Sequence, residues 1–210
     1  MVETLRHLIL QQGARLQGRP ALTCPEWGTL SYMALRNRVE GLALGLAAAD
    51  FPSPLHCDTA TPWDWVAELA AAACGLVWEP GAPALDPSFL GGPRFQDEAG
   101  RQAYHDRDEA VQATTPFAPG LTHGEVLLRL KRANRGLGWD HATVLEAVPD
   151  PRDPRTRRAV LWSAFFAGAH VRWESWCPPT GDGPGKPPAK GRTPVVPPLQ
   201  GFWDSEWTPV

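Results

Sequence analysis

A single α/β domain with a largely parallel sheet flanked by helices is the architecture this sequence predicts. Two observations carry that expectation. Helix-period and strand-like segments alternate from residue 2 to residue 173, the pattern of βα units laid on one sheet. Several helical segments also open on a capping side chain and close on glycine, so their limits are written locally.

The elements follow in order. Val2, Leu5, Leu8 and Ile9 share one face of a helix over residues 2–12. Pro20–Cys24 and Trp27–Leu30 read as two strands around a turn at Pro25-Glu26. Ser31 caps a second helix whose apolar stripe is Leu35, Val39, Leu42, Ala43 and Leu46. Leu55–Cys57 reads as a short strand. Thr61-Pro62-Trp63-Asp64 opens a third helix, with Thr61 as N-cap and Asp64 closing a capping box, and Gly75 ends it before a strand at Leu76–Trp78. Residues 80–108, rich in Pro, Gly and charge, read as an irregular surface excursion, and Glu109–Thr114 as a short strand. Thr122 and Glu125 form a second capping box, ahead of a helix that buries Val126, Leu127, Leu130 and Ala133 and stops at Gly136 or Gly138. Ala142–Val148 is β-like. Asp153-Pro154 starts a helix burying Val160, Leu161, Ala164 and Phe165, Gly168 ends it, and Ala169–Trp173 closes as a strand.

Composition bounds the function classes. At 210 residues, 43% apolar and 20% charged, the chain can bury a full core as an ordinary globular domain. A net charge of −3 points away from nucleic acid and from anionic membranes. Its most apolar run, Val66–Val77, is too short to span a bilayer and contains Glu68. No basic, apolar leader opens the sequence. Cys24, Cys57, Cys74 and Cys177 show no metal or disulfide spacing. A cytoplasmic protein with reduced thiols and no membrane or nucleic-acid partner is expected. After residue 176 the composition changes to Pro, Gly and Lys, so residues 1–176 are assigned to the domain and 177–210 to a tail. The end of that tail carries Trp203 and Trp207, which are expected to dock on the body or on a partner.

Several segments together resemble the N-terminal subdomain of the AMP-forming acyl-adenylate ligases. Gly18–Cys24 followed by Gly28–Ala43 is similar to that family's opening strand, its Leu-Thr-Tyr-x-Glu-Leu pattern and the long helix after it, with Ala34 where the family has glutamate. Trp63–Pro80 is similar to the next helix and strand. Glu109–Thr115 falls where the family enters its phosphate loop, Leu121-Thr122-His123 resembles the motif that follows it, and Arg157–Trp173 fits the next helix and strand.

The departures set the functional expectation. A phosphate loop needs converging backbone N–H groups, hence several glycines, and usually a lysine. Between Ala113 and Leu121 there are one glycine, Gly120, two prolines and no lysine. The family's Tyr-Gly-x-Thr-Glu segment, hinge aspartate and lysine-bearing C-terminal domain are not found, and Thr180–Lys186 matches the terminal Thr-x-x-Gly-Lys only faintly. Adenylation draws its rate from cations and donors placed around the α-phosphate, so a catalytically inactive ligase-like protein is expected, with no cofactor or metal and no catalytic residue.

Candidate ligand contacts are Thr114, Thr115, Thr122 and His123, which sit where an anion would lie. Each also has a plainer role: Thr114 and Thr115 as the end of a strand, Thr122 and His123 as a cap and first-turn residue. Tyr104–Glu109 has metal-ligand residue types, but its arginine and single histidine fit a solvated charged turn better. Ten tryptophans exceed the needs of a core this size. Trp162, Trp173, Trp176, Trp203 and Trp207 are candidates for an interface, or for replacement core. The expected function is an interaction or regulatory module that forms a homodimer or binds another protein. The alternatives are a small-molecule binder for an acyl group or nucleotide, and a ligase fragment active only with a partner chain.

Overall fold

A computed structural model of the chain describes residues 2–57, 59, 61–86, 98–145, 154–173 and 197–208. Helix α1 (Leu5–Leu16) starts later than the apolar spacing suggests, because the Thr4 hydroxyl accepts the His7 N–H at 3.1 Å and sets the N-terminus there. Strands β1 (Pro20–Cys24) and β2 (Gly28–Ser31) form the expected antiparallel hairpin. Helix α2 (Tyr32–Ala48) is capped by Ser31, whose hydroxyl accepts the Ala34 N–H, and it buries Leu35, Val39, Leu42, Ala43 and Leu46 as read. The α1–α2 contact is close because Gly13 has no side chain: a Cβ there would lie 2.3 Å from Arg36 Cδ.

Three corrections concern the middle of the chain. The segments around Leu55 and Trp78 meet only through isolated parallel bridges, Leu55 to Trp78 and His56 to Ala84, not as full strands. Helix α3 (Trp63–Cys74) is not opened by the expected capping box. Pro62 takes the N-cap place, and Asp64 Oδ1 instead accepts from the backbone and hydroxyl of Thr59, both at 2.7 Å. Where an irregular excursion and then a strand were expected, helix α4 (Glu98–Ala110) runs through to Ala110. Its inner face is Gly100 and Tyr104, with Ala103 and Arg107 half-buried.

A hairpin of β3 (Pro116–Ala118) and β4 (Leu121–Thr122) leads into helix α5 (His123–Leu137), which ends on Gly138 in the left-handed region. The short strand β5 (Val144–Leu145) precedes α6 (Pro154–Ala167) and β6 (His170–Arg172). The β-like expectation for 146–148 lies outside the described residues. The main sheet has the order β2-β1-β6-β5; β1, β6 and β5 are mutually parallel and β2 is antiparallel at one edge. Helix α1 touches α2, α3, α5 and α6. A 3-10 turn at Pro197–Leu199 then rests on α5 and α6.

Candidate functional site

The β3–β4 hairpin occupies the stretch where the sequence resemblance puts a phosphate loop. Its turn is Pro119-Gly120, with Gly120 at φ +71°, a conformation glycine adopts without strain. The backbone donors on either side are spent internally. Gln112 N–H goes to Thr115 Oγ1, Thr115 N–H to Gln112 O, His123 N–H to Thr115 O and Gly124 N–H to Ala113 O. Thr122 N–H goes to Glu125 Oε2 and Glu125 N–H to Thr122 Oγ1, the expected capping box. Those donors from Thr122, backbone and hydroxyl, hold the Glu125 carboxyl below its ordinary range. Phe117 O in turn accepts the Trp78 N–H, tying the hairpin to the body.

The four candidate ligand contacts therefore separate. Thr114 is exposed and Thr115 half-buried, and the Thr115 hydroxyl is engaged with the backbone. Thr122 caps α5. His123 is fully buried, and its Nδ1 accepts the Leu5 N–H at 3.2 Å, satisfying one of the first donors of α1. An accepting Nδ1 puts the ring proton on Nε2, which has no hydrogen-bond partner among the described residues. Burial pushes the His123 pKa down to about 4, so the ring is neutral at neutral pH.

Beside the hairpin lies a cavity of about 230 Å³ lined by Glu79, Pro80, Ala118, Pro119, Arg155, Arg158 and Trp203. Arg158 in that lining belongs to a buried ionic group that reading the sequence did not find. Glu68 on α3 accepts Arg158 Nε and Trp162 Nε1, each at 2.8 Å, with all three side chains buried. The signal was present: a carboxylate inside the apolar run Val66–Val77 needs an internal partner. Arg158 also lies over the Trp203 ring at 4.1 Å.

The wall of the cavity comes from the end of the chain. Trp203 Nε1 donates to Arg155 O at 2.9 Å, and Arg155 pairs with Asp204 at 2.8 Å. Arg129 on α5 directs its guanidinium at the carbonyl oxygens of Phe202, Asp204 and Ser205. Of the candidate interface tryptophans, Trp162 is fully buried against Phe117 and Phe165, and Trp173, Trp203 and Trp207 are buried as well. Trp176 lies outside the described residues. Among the described residues no group of three His, Cys, Asp or Glu side chains converges as a metal site, and no helix is long and apolar enough to cross a membrane.

No protein-family model matches this chain, and no curated protein sequence does either. Solved structures do. The N-terminal subdomain of NpsA from Klebsiella oxytoca superposes with a TM-score of 0.57 at 14% identity, over 83% of this chain and 55% of that one. The fold is that of an adenylation-enzyme N-terminal subdomain. VinN, solved with L-aspartate, gives a TM-score of 0.58 at 13% identity, over 81% of this chain and 62% of that one. The fused adenylation–PCP di-domain NpsA-ThdA, also from Klebsiella oxytoca, gives 0.56 at 15% identity, over 80% and 39%. The chain thus spans less than two thirds of each of these three proteins. The likeness reaches to the architecture, and the side chains around the hairpin have to be read on their own.

Proposed function

We propose that this chain is a non-catalytic protein of adenylation fold that works by binding, as an interaction or regulatory module that associates with a second copy of itself. The observation that carries this reading is the hairpin Pro116–Thr122. A phosphate cradle needs free N–H groups converging on one point. Here the donors of Gln112, Thr115, Thr122, His123, Gly124 and Glu125 are taken by the chain's own oxygens, and Pro116 and Pro119 have none. A triphosphate laid against this segment finds few preorganised donors, so the main source of rate in adenylation is not supplied there.

Self-association draws support from the sheet edge. Strand β5 pairs only with β6 among the described residues, and Val144 on it is 45% exposed. Open strand edges are surfaces that proteins cover. The same reading puts the chain in the cytoplasm, in keeping with the free, buried thiols of Cys24 and Cys74. The test is twofold. ATP–pyrophosphate exchange by the purified chain with a panel of carboxylic acids is expected to be nil, and light scattering after size exclusion is expected to give twice the monomer mass. Exchange by this chain alone removes the non-catalytic reading, and a clean monomer at micromolar concentration removes self-association.

A second reading, small-ligand binding, has the cavity beside Trp203 in its favour. The NpsA subdomain has been solved in complex with 3-hydroxybenzoyl-AMSN, which makes acyl-adenylate analogues, AMP and fatty acids the compounds to try. A bound ligand raises the melting temperature by mass action; no shift at millimolar ligand eliminates this reading.

A further inference from the structure

Helix α5 shows solvent one narrow stripe. Glu125, Leu128, Lys131, Arg132 and Arg135 are exposed and follow one another in steps of three and four residues, which places them on one side of the helix. The opposite side is buried and packs on α1, α6 and the 3-10 turn. Leu128, at 53%, is the most exposed large apolar side chain among the described residues.

Two of the charges serve the helix itself. Glu125 closes the capping box through its Oε2, and Arg135 lies in the last turn, where a cation suits the helix dipole. Leu128 and Lys131 lie between and answer neither end. Lys131 makes no ion pair among the described residues. It also stands four residues before Arg135, a like-charge spacing that works against an isolated helix.

The stripe is self-complementary about Leu128. Glu125 comes three positions before it and Lys131 three after, each about 4.5 Å along the helix axis. In a two-fold contact residue i meets j and j meets i. A second α5 laid antiparallel on the first, with Leu128 on the two-fold axis, therefore brings each Glu125 to the other copy's Lys131. The two Arg132 side chains are then about 12 Å apart along the axis, beyond the Debye length of about 8 Å at physiological salt. A parallel pair would instead bring the cations of both copies together.

We propose that α5 is the contact between two copies of this chain, crossing antiparallel with Leu128 against Leu128 and a Glu125–Lys131 ion pair on either side. The proposal rests on the self-association reading and gives it an interface on α5 in place of the β5 edge. Leu128 supplies the apolar centre, and the exposed ion pairs set the direction of crossing more than the affinity.

Charge exchange tests it. Lys131→Glu sets carboxylate against carboxylate across the contact, and Glu125→Lys sets ammonium against ammonium. Each variant alone is expected at the monomer mass in light scattering, at a concentration where the parent gives twice that mass. Mixed in equal amounts, the two are expected to return to twice the mass, because every carboxylate then faces an ammonium group. Variants that dimerise alone as the parent does overturn the proposal. Glu125→Lys also removes a capping contact, so a crosslink gives a second reading. Leu128→Cys and, at the β5 edge, Val144→Cys are each placed in a full-length chain carrying Cys177→Ser, whose other cysteines are buried. Oxidation is expected to link Leu128→Cys chains in pairs and to leave Val144→Cys chains unlinked. No linkage through Leu128→Cys, or linkage through Val144→Cys that equals or exceeds it, overturns the α5 contact. A dimeric parent with that outcome keeps self-association and loses only this interface, whereas a monomeric parent loses both.

Discussion

Glu68 and Arg158 form an ion pair at 2.8 Å with both side chains less than a tenth exposed, joining α3 to α6. Removing one partner of a buried pair strands the other charge, which typically costs about 3–5 kcal/mol. Arg158→Met is therefore expected to lower unfolding stability by that amount at neutral pH, measured by urea titration. Adding Glu68→Gln is expected to restore a large part of it, because no charge is then left unpaired. A single-variant loss under about 1 kcal/mol would mean that water already reaches the pair.

His123 gives the chain an acid-sensitive joint between α1 and α5. Its folded pKa, about 4, lies below the ordinary value of 6.5. Between those values the unfolded chain binds a proton that the native state refuses, so the stability is present above pH 6.5 and is lost as pH falls towards 4. The shift corresponds to about 3 kcal/mol as an order of magnitude. His123→Asn keeps an acceptor for the Leu5 N–H and removes the titration. Urea midpoints of this variant are expected to change less between pH 6.5 and 4 than those of the parent, and equal slopes would clear His123 of the role.

Gly13 sits where α1 crosses α2, and any Cβ there collides with Arg36, 2.3 Å from Cδ and 2.9 Å from Cβ. Alanine at an ordinary exposed helical position would stabilise. Here Gly13→Ala is expected to cost about 1–3 kcal/mol through forced repacking, with partial loss of the Arg36–Glu40 pair. An increase in melting temperature would show that Arg36 swings aside freely.

Thr122 is the N-cap of the only helix among the described residues with a complete capping box. Thr122→Ala is expected to cost about 1 kcal/mol, read from thermal or urea unfolding. Pyrophosphate exchange is expected to stay at nil in both proteins. A variant as stable as the parent would mean that Glu125 alone secures the entry to α5.

Most of this fold is legible in the sequence wherever the signal is local. Ser31 and Thr122 mark their helices because a cap is a contact three residues long, and the stripe from Leu35 to Leu46 is read from its period alone. Helix α4 escapes because its buried face is Gly100, Ala103, Tyr104 and Arg107, too small or too polar to register as an apolar stripe. The buried side of Tyr104 is set by Arg6, which stacks on the Tyr104 ring at 4.0 Å and donates to Tyr104 O and to Asp108 Oδ1 on the same helix. Such a helix is held from outside, and no window of its own sequence says so. The Thr61 box failed by one residue of frame, since Pro62 took the cap position and freed Asp64 to bind Thr59. At the candidate site, the lack of a glycine-rich loop was legible. The partners of Glu68 were not, because they lie 90 or more positions away, and the donors of His123 and Gly124 were not, because they are spent only once the chain folds back on Thr115 and Ala113.

The order of strands across the sheet carries a consequence for how the chain comes into being. β6, the last strand among the described residues, lies between β1, the first, and β5. Until residue 173 has left the ribosome, β1 has β2 alone for a neighbour and β5 has none within the main sheet. The central seam is closed by pairs such as Leu22 with Val171, so everything from residue 22 to residue 171 must be present before it can form. Such distant pairing makes folding slow and leaves apolar strand edges open meanwhile. A nascent chain stalled before α6 is thus expected to be held by chaperones, and one released after β6 to collapse in a single step.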